Sequence, residues 1–226
     1  MDVTPLESDP LVTLTSLQCF DSQLMSIALG QKGMLPSAQY DVTTPKYAIE
    51  QRKVMSGMKV YLAGPDVFYP DALERGHQMR VICAAYGFLG VYPLDSPIDV
   101  TQPDASNAIF KANRELIDGA DAVLANLRDF RGFEPDSGTV WEVAYAIAKG
   151  KTVIGYLPTT ASILERMGNI PRDGVDEEGC TVEDFGLPLN LMLAHSLTAI
   201  AYGEESMHEG LKAALSKLQE FCAAES

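Results

Sequence analysis

"DAVLANLRDFRGFEPDSGTVWEVAYAIAKGKTVIGYLP", Asp121 to Pro158, is the stretch whose reading decides the fold. "DAVLANL" is apolar enough for a strand buried on both faces. "RDFRGFEPDSG" is loop, rich in turn residues. "TVWEVAYAIAKG" reads as a helix closed by Lys149 and Gly150. "KTVIGYLP" is another short apolar run of strand character. Strand, helix and strand with short links make a βαβ unit, and such a unit implies parallel pairing.

The alternation continues on both sides. "KVYLAG", 59–64, is a buried strand that stops at Gly64-Pro65. "DALERGHQMRVICAAYG", 71–87, reads as a helix with Leu73, Met79, Ile82 and Cys83 inward. "FLGVYPLD", 88–95, is the second strand. "SNAIFKANRELIDGA", 106–120, is a helix with Ser106 as its N-cap and Gly119 near its end. A polar, glycine-rich and acidic insertion covers 159–186. "LPLNLMLAHSL", 187–197, starts a further helix, "TAIAYG", 198–203, a short fifth strand, and "MHEGLKAALSKLQEFCAA", 207–224, a terminal amphipathic helix. The prediction is an α/β domain over 58–226, a doubly wound parallel sheet of five strands with helices on both faces.

Residues 1–57 read differently. They mix short apolar pieces with Pro, Ser, Thr and Gln and hold no sustained period. Met55 and Met58 stand just before the first strand. Two readings stay open: translation starts near Met58 and the upstream segment is an over-extension, or the segment is an arm that packs on a partner subunit.

Bulk properties exclude several classes. The 226 residues are 46% hydrophobic and 21% charged, with a formal net charge of -14. A chain this acidic does not suit nucleic-acid polymers, whose phosphates need a basic face. The four cysteines, Cys19, Cys83, Cys180 and Cys222, form no CxxC pair, and this fits free thiols in a reducing compartment. His77, His195 and His208 lack metal-ligand spacing. No basic leader precedes an apolar run, and no segment reaches the roughly 18 apolar residues of a membrane span. A cytoplasmic protein without membrane contact is expected. A GxGxxG after the first strand, a P-loop and a G-x-S-x-G elbow are absent from the sequence, so no cofactor or metal is indicated. A phospho-receiver would want an acid at the end of the third strand, where this chain has Asn126.

Parallel sheets bind ligands beyond the C-terminal ends of their strands. Here those ends carry Asp66, Asp71, Asp95, Asp129, Glu134, Asp136 and Glu142, with Tyr61, Phe68 and Tyr69. An acid at a helix start, such as Glu142, is commonly there for the helix dipole. Its place at the strand ends makes a nucleophilic role an equal reading. Paired carboxylates with aromatics suit glycosyl chemistry, in which one carboxylate attacks the anomeric carbon and a second group handles the leaving-group proton.

"MKVYLAGPDVFYPD", "NRELIDGADAVLANL", "FRGFEPDSGTVWEVAYAIAKGK" and "LPLNLM" together resemble the nucleoside 2-deoxyribosyltransferase family, in chain order and over nearly all of 58–226. The resemblance implies a flavodoxin-like fold and transfer of 2-deoxyribose between nucleobases, with retention through a covalent deoxyribosyl-enzyme. It implies Glu142 as nucleophile, Tyr61 as the group that orients it, and Asp136 as a substrate contact that assists proton handling. Gly138, inside the same motif, is carried over as a substrate-binding position. Asn190 matches an asparagine that reaches the sugar hydroxyl of a neighbouring subunit's substrate, so a homo-oligomer with shared sites is implied. Phe68 is a candidate to stack on the base, and Asp95 or Ser96 a candidate base contact. Asn113 stands where some relatives have an aspartate that exchanges a proton with the base. An amide cannot be that acid, which leaves Asp136, a water, or a base-binding amide without an acid. The partners implied are 2'-deoxynucleosides and free nucleobases.

Two other activities compete. A hydrolase would share the first half-reaction and let water capture the deoxyribosyl-enzyme. Relatives that hydrolyse monophosphates carry a Gly-Ser-Arg-type loop after the first strand, and the acidic "AGPDVFYPD" here favours free nucleosides. A non-catalytic nucleotide-binding module would use the same scaffold without a nucleophile.

Overall fold

The five predicted runs form five strands: β1 (Lys59–Ala63), β2 (Leu89–Val91), β3 (Ala122–Asn126), β4 (Thr152–Leu157) and β5 (Ala199–Tyr202). They form one sheet in the order β2-β1-β3-β4-β5, with every pair parallel. The computed structural model describes residues 57–96, 98–168, 174–203 and 206–224. Both readings of the N-terminal segment, and Cys19, lie outside the described residues.

Side chains alternate across the sheet with period two, and both faces are covered. Val60, Leu62, Leu124, Ile154 and Tyr156 face α1 (Ala72–Ala85) and α6 (Met207–Ala224). Tyr61, Ala63, Val123, Ala125 and Val153 face α2 (Ala105–Gly119), α3 (Ser137–Ala148) and α5 (Leu191–Ser196). The strand order is that of a doubly wound, flavodoxin-like sheet. The chain runs outward from β1 to β2, then crosses back to β3. The crevice beyond the C-terminal ends of β1 and β3 is therefore the switch point where such sheets bind ligands.

Two local expectations are corrected. Leu73 points to solvent, at 72% exposure. The inward stripe of α1 is Ala72, Gly76, Met79 and Cys83, whose helical spacing leaves Leu73 a hundred degrees off the core. Gly76 is required there, because a Cβ would lie 2.4 Å from the Tyr92 ring. Ser106 is not an N-cap: α2 starts at Ala105, and Asp104 holds the cap position without a side-chain bond. The insertion was read by its composition alone. It contains a short helix, α4 (Ile163–Met167), whose start is fixed by a capping box between Ser162 and Glu165.

Cys83 and Cys180 are free thiols, and Cys222 Sγ lies 3.8 Å from Met58 Sδ. No helix among the described residues is long and apolar enough to cross a membrane. Among the same residues no His, Cys, Asp and Glu group is arranged to hold a metal ion.

Candidate active site

β1 aims Tyr61 to the α3 side of the sheet, fully buried. α3 begins at Ser137, so Glu142 falls in its second turn and meets Tyr61 from above. The Tyr61 hydroxyl donates to Glu142 Oε1 at 2.6 Å. Asn113, from the middle of α2, donates through Nδ2 to the same oxygen at 3.5 Å. Both donors converge on Oε1, which leaves Oε2 as the oxygen with no protein donor in these two contacts. Asn113 Oδ1 is buried without a hydrogen-bond partner.

Burial pushes the Glu142 carboxyl up to about 7. The Tyr61 hydrogen bond opposes that rise, the charge of Asp136 adds to it, and the Asn113 contact opposes it. Burial, then the Glu142 charge and hydrogen bond, raise the Tyr61 hydroxyl far above its ordinary value. Tyr61 therefore keeps its proton and is a permanent donor to the carboxylate.

Asp136 is the N-cap of α3. Its Oδ2 accepts from Thr139 N at 2.9 Å and from Thr139 Oγ1 at 3.0 Å, so Oδ1 is left to the site. Gly138 is exposed, and its part in this cap is spatial: a Cβ there would lie 3.1 Å from Asp136 Oδ2. Asn190 is the N-cap of α5, accepting from Met192 N at 3.0 Å. Its Nδ2 donates to Glu183 Oε1 at 2.7 Å, and Glu183 Oε2 accepts from Leu191 N.

The remaining candidates stand apart from the carboxylate pair. Phe68 is exposed and stacks on Phe130 at 5.3 Å between centroids, which ties the β1–α1 loop to the β3–α3 loop. The Arg131 guanidinium lies over both rings, on a residue held at φ 56°. Asp95 has its oxygens engaged by Tyr92 N and by Arg80. Trp141 stacks on Tyr145 and meets the edge of Phe110, which makes it a packing residue of the α2–α3 surface.

Sequence reasoning missed two features. Asp66 is not a solvated mouth acid. It is 1% exposed, accepts from Asn126 Nδ2 at 2.8 Å, and pairs with Arg75 at 3.3 Å. This network joins the ends of β1 and β3 to the start of α1, and nothing in local spacing reports such a long-range pair. Arg166, from α4, was also missed, although "SILE" is a readable capping box. A groove of about 550 Å³ runs between α3 and α5, lined by Val140, Ala144, Ile147, Asn190 and Met192 among others. Tyr61, Glu142 and Asn113 are not in its wall.

The molecule is thus a parallel α/β protein with a tyrosine-held, half-buried glutamate at its switch point. Residues 60–192 match the family model described as Nucleoside 2-deoxyribosyltransferase. The chain belongs to that family. It is similar to a 2-desoxiribosyltransferase from Leishmania mexicana, at 32% identity and a TM-score of 0.56, over 72% of this chain and 97% of that one. It is also similar to a 2-deoxyribosyltransferase from Bacillus psychrosaccharolyticus, at 22% identity and a TM-score of 0.44, over 69% of this chain and 96% of that one. An uncharacterized Schizosaccharomyces pombe protein, C191.05c, is 33% identical over 118 residues. That match covers 50% of this chain and 56% of the yeast protein, so the chain spans about half the length of this curated relative.

Proposed function

We propose that this protein exchanges the nucleobase of 2'-deoxynucleosides, with retention, through a covalent deoxyribosyl-Glu142 ester. The observation that carries this reading is the Tyr61–Glu142 pair at 2.6 Å, part-buried at the switch point of the sheet. Tyr61 and Asn113 hold Oε1, so Oε2 is the attacking oxygen. Its lone pair bonds to C1′ of the sugar while the N-glycosidic bond breaks and its electrons leave with the base. The Asp136 charge beside Glu142 holds a water through Oδ1, and that water gives the departing base its proton. Asn113 cannot, because an amide is not an acid at neutral pH, and it serves instead as a hydrogen-bond partner of the base. A ring N–H nitrogen of a second base then attacks C1′ as the C1′–Oε2 bond breaks, which releases Glu142 as the carboxylate, and the N–H proton passes back to the hydroxide held at Asp136. Two inversions give net retention. Phe68 supplies a stacking face. Asp95, with both oxygens engaged, is a less direct base contact.

The apolar α3–α5 groove supports a homo-oligomer in this reading. Met192 stands 74% exposed beside Asn190, and a second copy seated there would bury it. Asn190 would then reach the sugar in the neighbouring site with its remaining N–H.

The deciding experiment is chromatographic. Wild type and Glu142→Ala are incubated with thymidine or deoxyinosine plus adenine, and with each nucleoside alone. Deoxyadenosine made by wild type and not by the variant is the expected result. Free base without a new nucleoside would identify a hydrolase. Turnover of no donor, with ligand binding kept in both proteins, would identify a binding module.

A further inference from the structure

Arg166 has a guanidinium whose every nitrogen is engaged. Nε and Nη2 form a two-pronged ion pair with Asp129, at 3.2 Å and 3.0 Å. Nη2 also donates to Phe133 O at 3.1 Å, and Nη1 to Ala161 O and Pro188 O, each at 2.9 Å. The side chain is only 11% exposed. Few surface ion pairs have this geometry, and a planar fork is what makes it available.

The partners belong to segments that matter. Asp129 and Phe133 are the two shoulders of the β3–α3 loop, whose next turn delivers Asp136. Pro188 is two residues before Asn190. The α4 helix that carries Arg166 is itself docked on the second segment, through Ile163 N to Leu187 O at 3.0 Å. One side chain therefore joins the loop of the proton-handling aspartate to the strand of chain that presents Asn190.

We propose that Arg166 is a positioning residue that locks the Asp136 loop and the Asn190 segment into a single unit. This rests on the function proposed above for what the two segments do, but the lock itself does not. If Asp136 serves its own subunit's site and Asn190 a neighbour's, Arg166 also fixes how one subunit's site is set relative to the residue it lends out. A lysine cannot replace it, because one ammonium cannot bridge a carboxylate and three carbonyls in a plane.

The test has a structural and a functional arm. Amide hydrogen exchange is measured on intact wild type, Arg166→Ala, Arg166→Lys and Glu165→Ala. Arg166→Ala is expected to raise exchange at least about tenfold in both 128–134 and 187–191, as a local opening does, with Arg166→Lys between it and wild type. Glu165→Ala breaks the α4 cap and is expected to raise exchange in α4 alone. Unchanged protection in either segment, or the same pattern from Glu165→Ala, would overturn the lock. The second arm measures deoxynucleoside binding in a Glu142→Ala background. Arg166→Ala is expected to weaken binding about tenfold, and adding Asn190→Ala to cost less than about threefold more, since coupled residues are not additive. Full additivity would show that Arg166 does not act through Asn190. A wild type without exchange or hydrolysis would remove the proposed function and leave the hydrogen-exchange result to decide the lock by itself.

Discussion

At the scale of single residues, the site is a balance of terms on Glu142. A nucleophile must be ionised, yet burial holds this carboxyl near 7, against its ordinary 4.5. The rate constant kcat/KM is therefore expected to rise with pH and level off above an inflection near 7. Tyr61→Phe removes a donor to the anion. It should move the inflection upward and lower the plateau roughly 10- to 100-fold, the worth of a hydrogen bond to a charged group. Asp136→Asn removes a neighbouring negative charge and should move the inflection the other way. A pH–rate profile of the three proteins checks both shifts, and a common inflection in all of them would mean that Glu142 is not the titrating group. The same shift has a consequence for stability. A carboxyl whose folded pKa is raised stabilises the fold fully below 4.5 and loses that contribution as pH rises through 7. Above pH 8 the ionised Glu142 costs on the order of 3 kcal/mol. Glu142→Gln, which stays neutral, is expected to melt several degrees above wild type at pH 8 and to match it near pH 4.5.

At the scale of elements, the strands were legible because each is a short apolar run with Gly, Pro or Asp close to one end or the other, and buried parallel strands need little else. α3 was legible for a further reason: its cap, Asp136, is also a residue of the proposed site, so one stretch carried both signals. What stayed hidden was set by partners far away in sequence. The inward stripe of α1 contains Ala72 and Gly76, small residues with no hydrophobic signal, because the Tyr92 ring lies against that face. Leu73 looked like core by composition and is surface by phase. Asp66 stood among the acids at the strand ends and Arg166 drew no reading, because the partners that define them, Asn126 and Asp129, are far away in sequence. The Gly76 contact makes a prediction at this scale. Gly76→Ala adds a methyl where the ring already sits and should cost about 1–3 kcal/mol by overpacking, despite the better helix propensity of alanine. Urea unfolding measures it. A variant as stable as wild type would mean that α1 or Tyr92 shifts freely, and that the base of the β1–α1 loop is softer than its packing suggests.

At the scale of the whole molecule, charge and apolar surface pull in opposite directions. Each chain carries a formal -14, so two copies repel at long range. The α3–α5 groove offers apolar area with Met192 exposed at its edge, and that attraction acts only at contact. Salt separates the two effects, because the screening length falls from about 30 Å at 0.01 M to about 10 Å at 0.1 M. Sedimentation velocity is therefore expected to show a larger assembly at 0.15 M salt than at 0.01 M, the reverse of an interface held by ion pairs. Met192→Lys places a charge in the groove and should shift the protein toward monomer at both salt levels with little loss of thermal stability, since a side chain this exposed contributes little to the core of its own subunit. Under the shared-site reading, the same variant should lose base exchange in proportion to lost assembly, because Asn190 no longer reaches a neighbour's sugar. Exchange that persists in a monomeric Met192→Lys protein would mean that each subunit is self-sufficient, and that Asn190 with its Glu183 partner works within its own chain.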